Sequence, residues 1–247
     1  MIRASLGNMR RKLHALAYRR PAILKCDVPI VTFTFDDFPK NAGTSGAAIV
    51  ESFEGRATFY TAMGLCGIEN RLGTQFDLED LFSLAERGHE IGNHTFSHLS
   101  ARKCRFAELL NDVHRCEAAF QSARIPGWTR NFAYPYGEVS IFSKGRLGSV
   151  LGSCRGTEPG GNGPEIDLNL LRANALYGGA ERGQAACDLL RENSKRNAWL
   201  IFYTHDVCDK PSPYGCTPEL LERVAQCAAE YGYHSLPVER VLNNFLG

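Results

Sequence analysis

The chain has 247 residues, 44% of them hydrophobic and 22% charged, with a formal net charge of +1. A length of this order fits one large domain of the α/β or barrel kind. The near-neutral balance gives no support for a nucleic-acid-binding protein, whose domain would carry a basic stripe, and no apolar run approaches the length of a membrane span.

Residues 1–25 form a basic extension carrying Arg10-Arg11-Lys12 and Arg19-Arg20. Leu6, Met9, Leu13, Leu16 and Ala17 recur at helical spacing, which predicts an amphipathic helix. Packing against the domain is the preferred reading over peripheral contact with a membrane surface. The extension lacks the continuous apolar stretch of a secretory signal, so the cytoplasm is the expected compartment. Nine cysteines spread from Cys26 to Cys227 without a CxxC pair read as reduced thiols acting as small buried hydrophobes.

From residue 26 to 247 the sequence alternates short apolar runs with helical patterns, the mark of repeated βα units in a single domain. Ile30 to Phe35 predicts a strand, residues 44–53 a short helix and Ala57 to Thr61 a second strand. A helix over 76–87 stops at Gly88, and residues 89–93 read as a strand. Phe106 to Ala123 is the clearest helix, with Leu109, Leu110, Val113, Cys116, Ala119 and Phe120 on one stripe. Then come a strand over 131–134, a helix over 139–151 and a strand over 152–155. The Gly/Pro-rich stretch 156–165 is too short for a linker between domains and reads as an active-site loop. A strand over 170–176, a helix over 182–196 and the very hydrophobic strand Trp199 to Thr204 follow. A helix over 217–231 opens on Thr-Pro-Glu, with proline at the first helical position, and 234–236 and 237–245 complete the pattern. Such a series predicts a barrel or barrel-like parallel sheet with its chemistry at one rim.

Three polar clusters each sit just after an apolar strand: Asp36-Asp37, His94-Thr-Phe-Ser-His98 and His205-Asp206. Adjacent carboxylates at a buried strand end repel, and burying either without a partner costs several kcal/mol, so a cation is expected beside them. Taken alone, Asp37-Phe38-Pro39 also reads as a turn, and a lone HxxxH as two surface or capping histidines. In a parallel βα fold, however, strand ends converge. Two imidazoles four residues apart with one aspartate then make a ligand set suited to zinc or a similar divalent metal, with a position left open. A two-carboxylate glycosidase fits poorly, because its carboxyl groups stand about 5–9.5 Å apart on different elements.

Four motifs taken together, TFDD at 34–37, HTFSH at 94–98, FAYPYG at 132–137 and YTHD at 203–206, resemble the polysaccharide deacetylase family, the NodB-homology carbohydrate esterases. The likeness spans about Ile30 to Leu242, and the FAYPYG and RGTEPGGN segments resemble a bacterial subgroup linked to surface-polysaccharide biosynthesis. It implies a distorted (β/α)7 barrel and a divalent metal, zinc by preference, held by Asp37, His94 and His98. It further implies Asp36 as general base, His205 as general acid and the Tyr136 backbone N–H as oxyanion donor.

Two departures stand out. The arginine that many members carry before this segment, tethering the base, is Ala133 here, with Arg130 the nearest candidate to replace it. The Asp-Trp motif that orients the acidic histidine has no clear match, leaving Asp206, Asp167 and Asp188 as candidates. His14, His89, His114 and His234 carry no motif and read as structural or solvated. The expected activity is removal of N-acetyl groups from an amino-sugar oligo- or polysaccharide or its precursor. The alternative, resting on the two departures, is a barrel without activity that binds carbohydrate or scaffolds a biosynthetic complex.

Overall fold

The computed structural model describes residues 16–196 and 198–247. The amphipathic helix expected at the N-terminus falls largely on residues outside these; further along, the extension contains a strand. In chain order the strands are β1 (Pro21–Ile23), β2 (Ile30–Asp36), β3 (Thr58–Thr61), β4 (Glu69–Asn70), β5 (Gly73–Thr74), β6 (Glu90–Asn93), β7 (Trp128–Ala133), β8 (Ser153–Arg155), β9 (Glu165–Asp167), β10 (Asn174–Ala175), β11 (Trp199–Thr204) and β12 (His234–Ser235).

The main sheet runs β10-β11-β2-β3-β6-β7-β8, with every neighbouring pair parallel. Its two edges meet through one segment. Leu171 pairs in parallel with Arg155 of β8, and three residues on Asn174 and Ala175 pair with β11. The result is a curled seven-stranded sheet, the single-domain, distorted (β/α)7 barrel the motifs imply. β12 adds to the first residues of β2, and β1 pairs antiparallel with β9 outside the main sheet.

Alternation along β2 decides what faces the site. All seven of its residues are buried. Val31, Phe33 and Phe35 enter the larger apolar cluster beneath the helices, whereas Ile30 joins Trp199, Ile201 and Tyr203 in a second cluster. Phe35 stacks on Phe59 with ring centroids 4.9 Å apart, and each buried phenyl of this kind contributes about 1.5–3 kcal/mol of transfer free energy. On the Ile30 face, Thr32 accepts a hydrogen bond from Trp199 Nε1 at 2.8 Å, and Thr34 donates to the Phe202 carbonyl at 3.0 Å. Because strand side chains repeat every second residue, the next member of that face is Asp36.

Several helices are shorter than their patterns predict, for local reasons. Over 76–87 the helix is Leu78–Glu86, because Asp77 acts as its cap. Asp80 N donates to Asp77 Oδ1 at 3.1 Å, and Asp77 N donates to Asp80 Oδ2 at 2.9 Å, a capping box. Over 44–53 a wide turn, Ala42–Gly46, precedes the helix Ala47–Ser52. There Gly46 lies so close to Phe35 that a Cβ would meet its ring at 2.9 Å. The helix Ile141–Leu147 ends at Gly148, which packs directly on Asn169. The 156–165 loop only partly fulfils its reading as an active-site loop. Its start approaches the site, but Asn162 exchanges backbone hydrogen bonds with Trp199 at the opposite end of β11.

One cysteine expectation needs correcting. Cys187 and Cys227 form a disulfide joining the helices Gly183–Ser194 and Pro218–Glu230, with S–S at 2.25 Å. These two helices pack face to face, so thiols far apart in sequence become neighbours. The other cysteines are free.

Candidate active site

Asp36, last residue of β2, points across the barrel mouth to Arg155, last residue of β8. Arg155 Nη2 lies 2.6 and 2.5 Å from the two Asp36 oxygens. Arg155 is fully buried, its guanidinium 5.1 Å from the ring centres of both Tyr60 and Tyr203. Burial pushes the Asp36 carboxyl up, but Arg155, His94 and His205 outweigh that and hold it below the ordinary carboxylate range. Asp36 is thus an ionised carboxylate held in one orientation. Arg155 takes the part for which Arg130 was the sequence candidate. Arg130 instead faces outward, 3.2 Å from Glu117 and largely exposed.

The next residue turns the opposite way. Asp37 has φ +55°, which breaks strand alternation and brings its carboxylate beside the second motif. Its Oδ1 lies 3.7 Å from His94 Nε2 and 3.4 Å from His98 Nε2. Donor atoms of the three side chains all lie within 4.8 Å of one another. His94 donates from Nδ1 to the Ala133 carbonyl at 2.8 Å, which fixes the tautomer and leaves Nε2 as the free lone pair. The residue that lacks the family's arginine side chain thus contributes its backbone.

The electrostatics fit a divalent cation. Burial, then the Asp36 charge, pushes the Asp37 carboxyl up to about 8, with Arg71 opposing. Its Oδ1 is buried with no hydrogen-bond partner. Burial lowers His94 to about 4, and burial together with His94 lowers His98 to about 3, so both imidazoles are neutral. An orphaned carboxylate oxygen facing two neutral imidazole nitrogens is the donor set such an ion takes. Metal–ligand distances of about 2.0–2.2 Å place tetrahedral ligand atoms roughly 3.4 Å apart, near the spacings found.

His205 follows β11. Its Nδ1 lies 3.1 Å from the Tyr214 carbonyl, which also accepts the His205 backbone N–H at 3.2 Å. A carbonyl, not an aspartate, orients the ring. Asp206 instead binds Ser212 N at 2.7 Å and Ser212 Oγ at 2.5 Å, pinning the following loop. Asp167 pairs with Lys144 at 2.7 Å and Asp188 with Arg191 at 2.8 Å. Burial lowers the His205 imidazole, partly offset by Asp36.

Tyr136 sits in the Pro135–Gly137 turn with φ +60°, its ring centroid 4.3 Å from that of His98. Gly137 N and Glu138 N close the turn onto Tyr134 O and Pro135 O. Gly137 itself has φ +61°, and a Cβ there would lie 2.3 Å from Thr157 Oγ1, so glycine is required. Of seven non-glycine residues with positive φ among those described, Asp37, Thr95, His98 and Tyr136 cluster here. Each costs about 1–3 kcal/mol, tolerated because the surrounding contacts over-determine the geometry.

These residues share a cavity of about 330 Å³, whose wall adds Arg71, Thr157, Tyr177, Tyr203 and Tyr214. The bland readings of His89 and His114 fit their places. His89 bonds Ala57 N and Glu51, and His114 lies 3.1 Å from Glu117. His14 lies outside the described residues.

Residues 25–144 match the polysaccharide deacetylase family model. The chitin deacetylase of the fungal pathogen Colletotrichum lindemuthianum superposes with a TM-score of 0.62 at 18% identity, covering 91% of this chain and 94% of that one. The peptidoglycan deacetylase PdaC of Bacillus subtilis gives 0.54 at 15%, covering 88% and 91%. A family 4 acetyl xylan esterase of Clostridium thermocellum, solved in complex with a cobalt ion, gives 0.56 at 20%, covering 87% and 90%. At such identities these neighbours establish the deacetylase fold. No curated protein sequence matches significantly. The family match ends at residue 144, before Arg155 and His205, so those two positions rest on the geometry described above.

Proposed function

We propose that this protein is a metal-dependent carbohydrate N-deacetylase, acting on an amino-sugar-containing oligo- or polysaccharide or its precursor in bacterial surface-polysaccharide biosynthesis. The observation that carries the reading is the division of labour between adjacent aspartates. Asp36 is ionised and held by Arg155, while Asp37 turns an unpartnered oxygen towards His94 and His98. Asp37, His94 and His98 would hold the ion, for which zinc is the preferred identity given two nitrogen donors and one carboxylate. When bound, the ion would polarise the acetyl carbonyl and make water more acidic.

The remaining chemistry belongs to the chain. Asp36 takes a proton from the attacking water as its oxygen bonds to the acetyl carbon. The C–N bond then breaks as the proton taken by Asp36 is passed on through His205 Nε2, the lone-pair nitrogen left free because Nδ1–H donates to the Tyr214 carbonyl, to the leaving nitrogen. One proton leaves the water and one reaches the nitrogen, giving acetate and a free amine with both side chains restored. The Tyr136 backbone N–H, held in the turn whose following amides close it, donates to the developing oxyanion.

The catalytically inactive alternative rests on two departures, the missing arginine at Ala133 and the unmatched Asp-Trp motif. Arg155 on Asp36 supports activity against the first, and the Tyr214 carbonyl on His205 Nδ1 stands where an aspartate is expected in the second. The test is acetate release from N-acetylglucosamine oligomers by zinc-loaded protein, alongside metal analysis. About one ion per chain is expected, with activity lost in Asp36→Asn. Acetate release that survives this substitution removes the general base. A chain without stoichiometric metal removes the centre.

No helix among the described residues is long and apolar enough to cross a membrane.

A further inference from the structure

The cavity wall holds one cation that the proposed mechanism does not use. Arg71 forms the turn between β4 and β5, a hairpin anchored from below. Asn70 Oδ1 accepts from Leu72 N at 2.8 Å and from Gln75 Nε2 at 3.2 Å, and the fully buried Gln75 bridges to Pro39. The backbone therefore delivers Arg71 to the mouth from a fixed base. Its guanidinium lies 5.3 Å from the centre of the Tyr214 ring. Tyr214 is the residue whose carbonyl orients His205.

A second pair repeats the arrangement. Lys103 Nζ lies 5.6 Å from the ring centre of Tyr136, the other exposed tyrosine of the mouth. Among the described residues, neither Arg71 nor Lys103 has a carboxylate within ion-pair distance. The carboxylates inside the cavity are already committed: Asp36 to Arg155, and Asp37 to the proposed ion. An exposed arginine is ordinarily a solvated one. This one lies over a tyrosine and lines the cavity beside His205, Tyr177 and Tyr136, with planar donors matched to a carboxylate or phosphate.

We propose that Arg71, stacked on Tyr214, is an anion-recognising subsite, and that the substrate carries a carboxylate or phosphate adjoining its N-acetylated sugar. The inference rests on the deacetylase reading, and deepens it by naming the charge of the substrate. Sugar faces stack on the rim tyrosines, the acetamido group reaches Asp36 and His205, and the anionic substituent meets Arg71, with Lys103 adding long-range attraction.

The test compares zinc-loaded wild-type, Arg71→Ala and Arg71→Lys proteins on three sources of N-acetylglucosamine. These are neutral chitotetraose, an oligosaccharide alternating N-acetylglucosamine with glucuronate, and a nucleotide-diphosphate-linked N-acetylglucosamine. Calorimetric binding of methyl glucuronide, glucose 1-phosphate and methyl glucoside is measured in parallel. One charge-assisted contact predicts at least about a tenfold preference in kcat/KM for an anionic substrate over the neutral one. That ratio falls towards one in Arg71→Ala and is partly restored in Arg71→Lys, a pattern that loss of hairpin structure would not give. Preference for glucuronate alone, or for the diphosphate alone, supports the subsite and names its source.

Equal turnover of neutral and anionic substrates by wild-type protein overturns the subsite while leaving the deacetylase reading intact. Inactivity on all three, with Arg71-dependent binding of an anionic glycoside, upholds the subsite and overturns the deacetylase reading. Inactivity without such binding overturns both.

Discussion

Replacing Arg155 with methionine is the most demanding test of how this site is held together. The guanidinium is fully buried between two tyrosine rings and contributes both contacts to Asp36. Methionine nearly fills the volume but removes the charge, leaving the Asp36 carboxylate buried without its main partner. Breaking a buried ion pair by removing one member costs about 3–5 kcal/mol. In a chain of this size, where each kcal/mol moves Tm by about 2–4 °C, that corresponds to roughly 6–20 °C. Asp36→Asn should also destabilise, since it strands the arginine. The double substitution should be more stable than Arg155→Met, because no buried charge then lacks a counterpart. The assay is a double-mutant cycle by thermal or urea unfolding, read with acetate release. Arg130→Ala serves as the contrast: its surface pair with Glu117 is worth about 0–1 kcal/mol, and activity should be retained. Coupling between positions 36 and 155 below about 0.5 kcal/mol, the level of independent sites, refutes the argument. So does an Arg130→Ala protein that loses activity while Arg155→Met keeps it.

Three further outcomes follow from particular contacts. Gly137→Ala places a Cβ against Thr157 at a positive φ, so unfolding experiments should show a loss of about 1–3 kcal/mol, with acetate release reduced as the Tyr136 turn shifts. His89 accepts from Ala57 N at Nδ1 and contacts Glu51 through Nε2, and burial lowers it to about 4. The unfolded chain, with His near 6.5, therefore binds the extra proton between about pH 4 and 6.5, so stability falls as pH drops through that window. The contribution is up to about 3 kcal/mol, read as the difference between wild-type and His89→Gln urea midpoints at pH 4.5 and 7. An unchanged difference rejects the buried neutral imidazole. Finally, the Cys187–Cys227 disulfide closes a 40-residue separation, and loop-closure entropy predicts about 4 kcal/mol of stabilisation. Reductant should lower the wild-type Tm and leave the Cys187→Ser/Cys227→Ser protein unaffected. Nine titratable thiols in the denatured, unreduced chain would exclude the bond.

Residue order alone predicted a barrel-like parallel sheet with two histidines and an aspartate at one rim, for a physical reason; the seven-stranded form and the choice of Asp37 came from the resemblance. Strands alternate with period two and helices with 3.6, so element types are legible locally. Asp36-Asp37, His94, His98 and His205 sit at strand ends, which a parallel architecture must bring to one rim. Tertiary structure decided the rest. Arg155 ends a three-residue strand and opens the RGTEPGGN segment, but nothing in that segment marks it as the partner of Asp36, and only the sheet order that closes β8 towards β11 sets it opposite that carboxylate. The orienter of His205 was illegible in another way: it is a backbone carbonyl, and every residue has one, so no side-chain pattern marks Tyr214. The disulfide likewise depends on two helices packing side by side. Arg71 reads as a loop residue until its hairpin is folded beneath the mouth. What a side chain must be is written along the chain, but which distant side chain it meets is set by register and closure of the barrel.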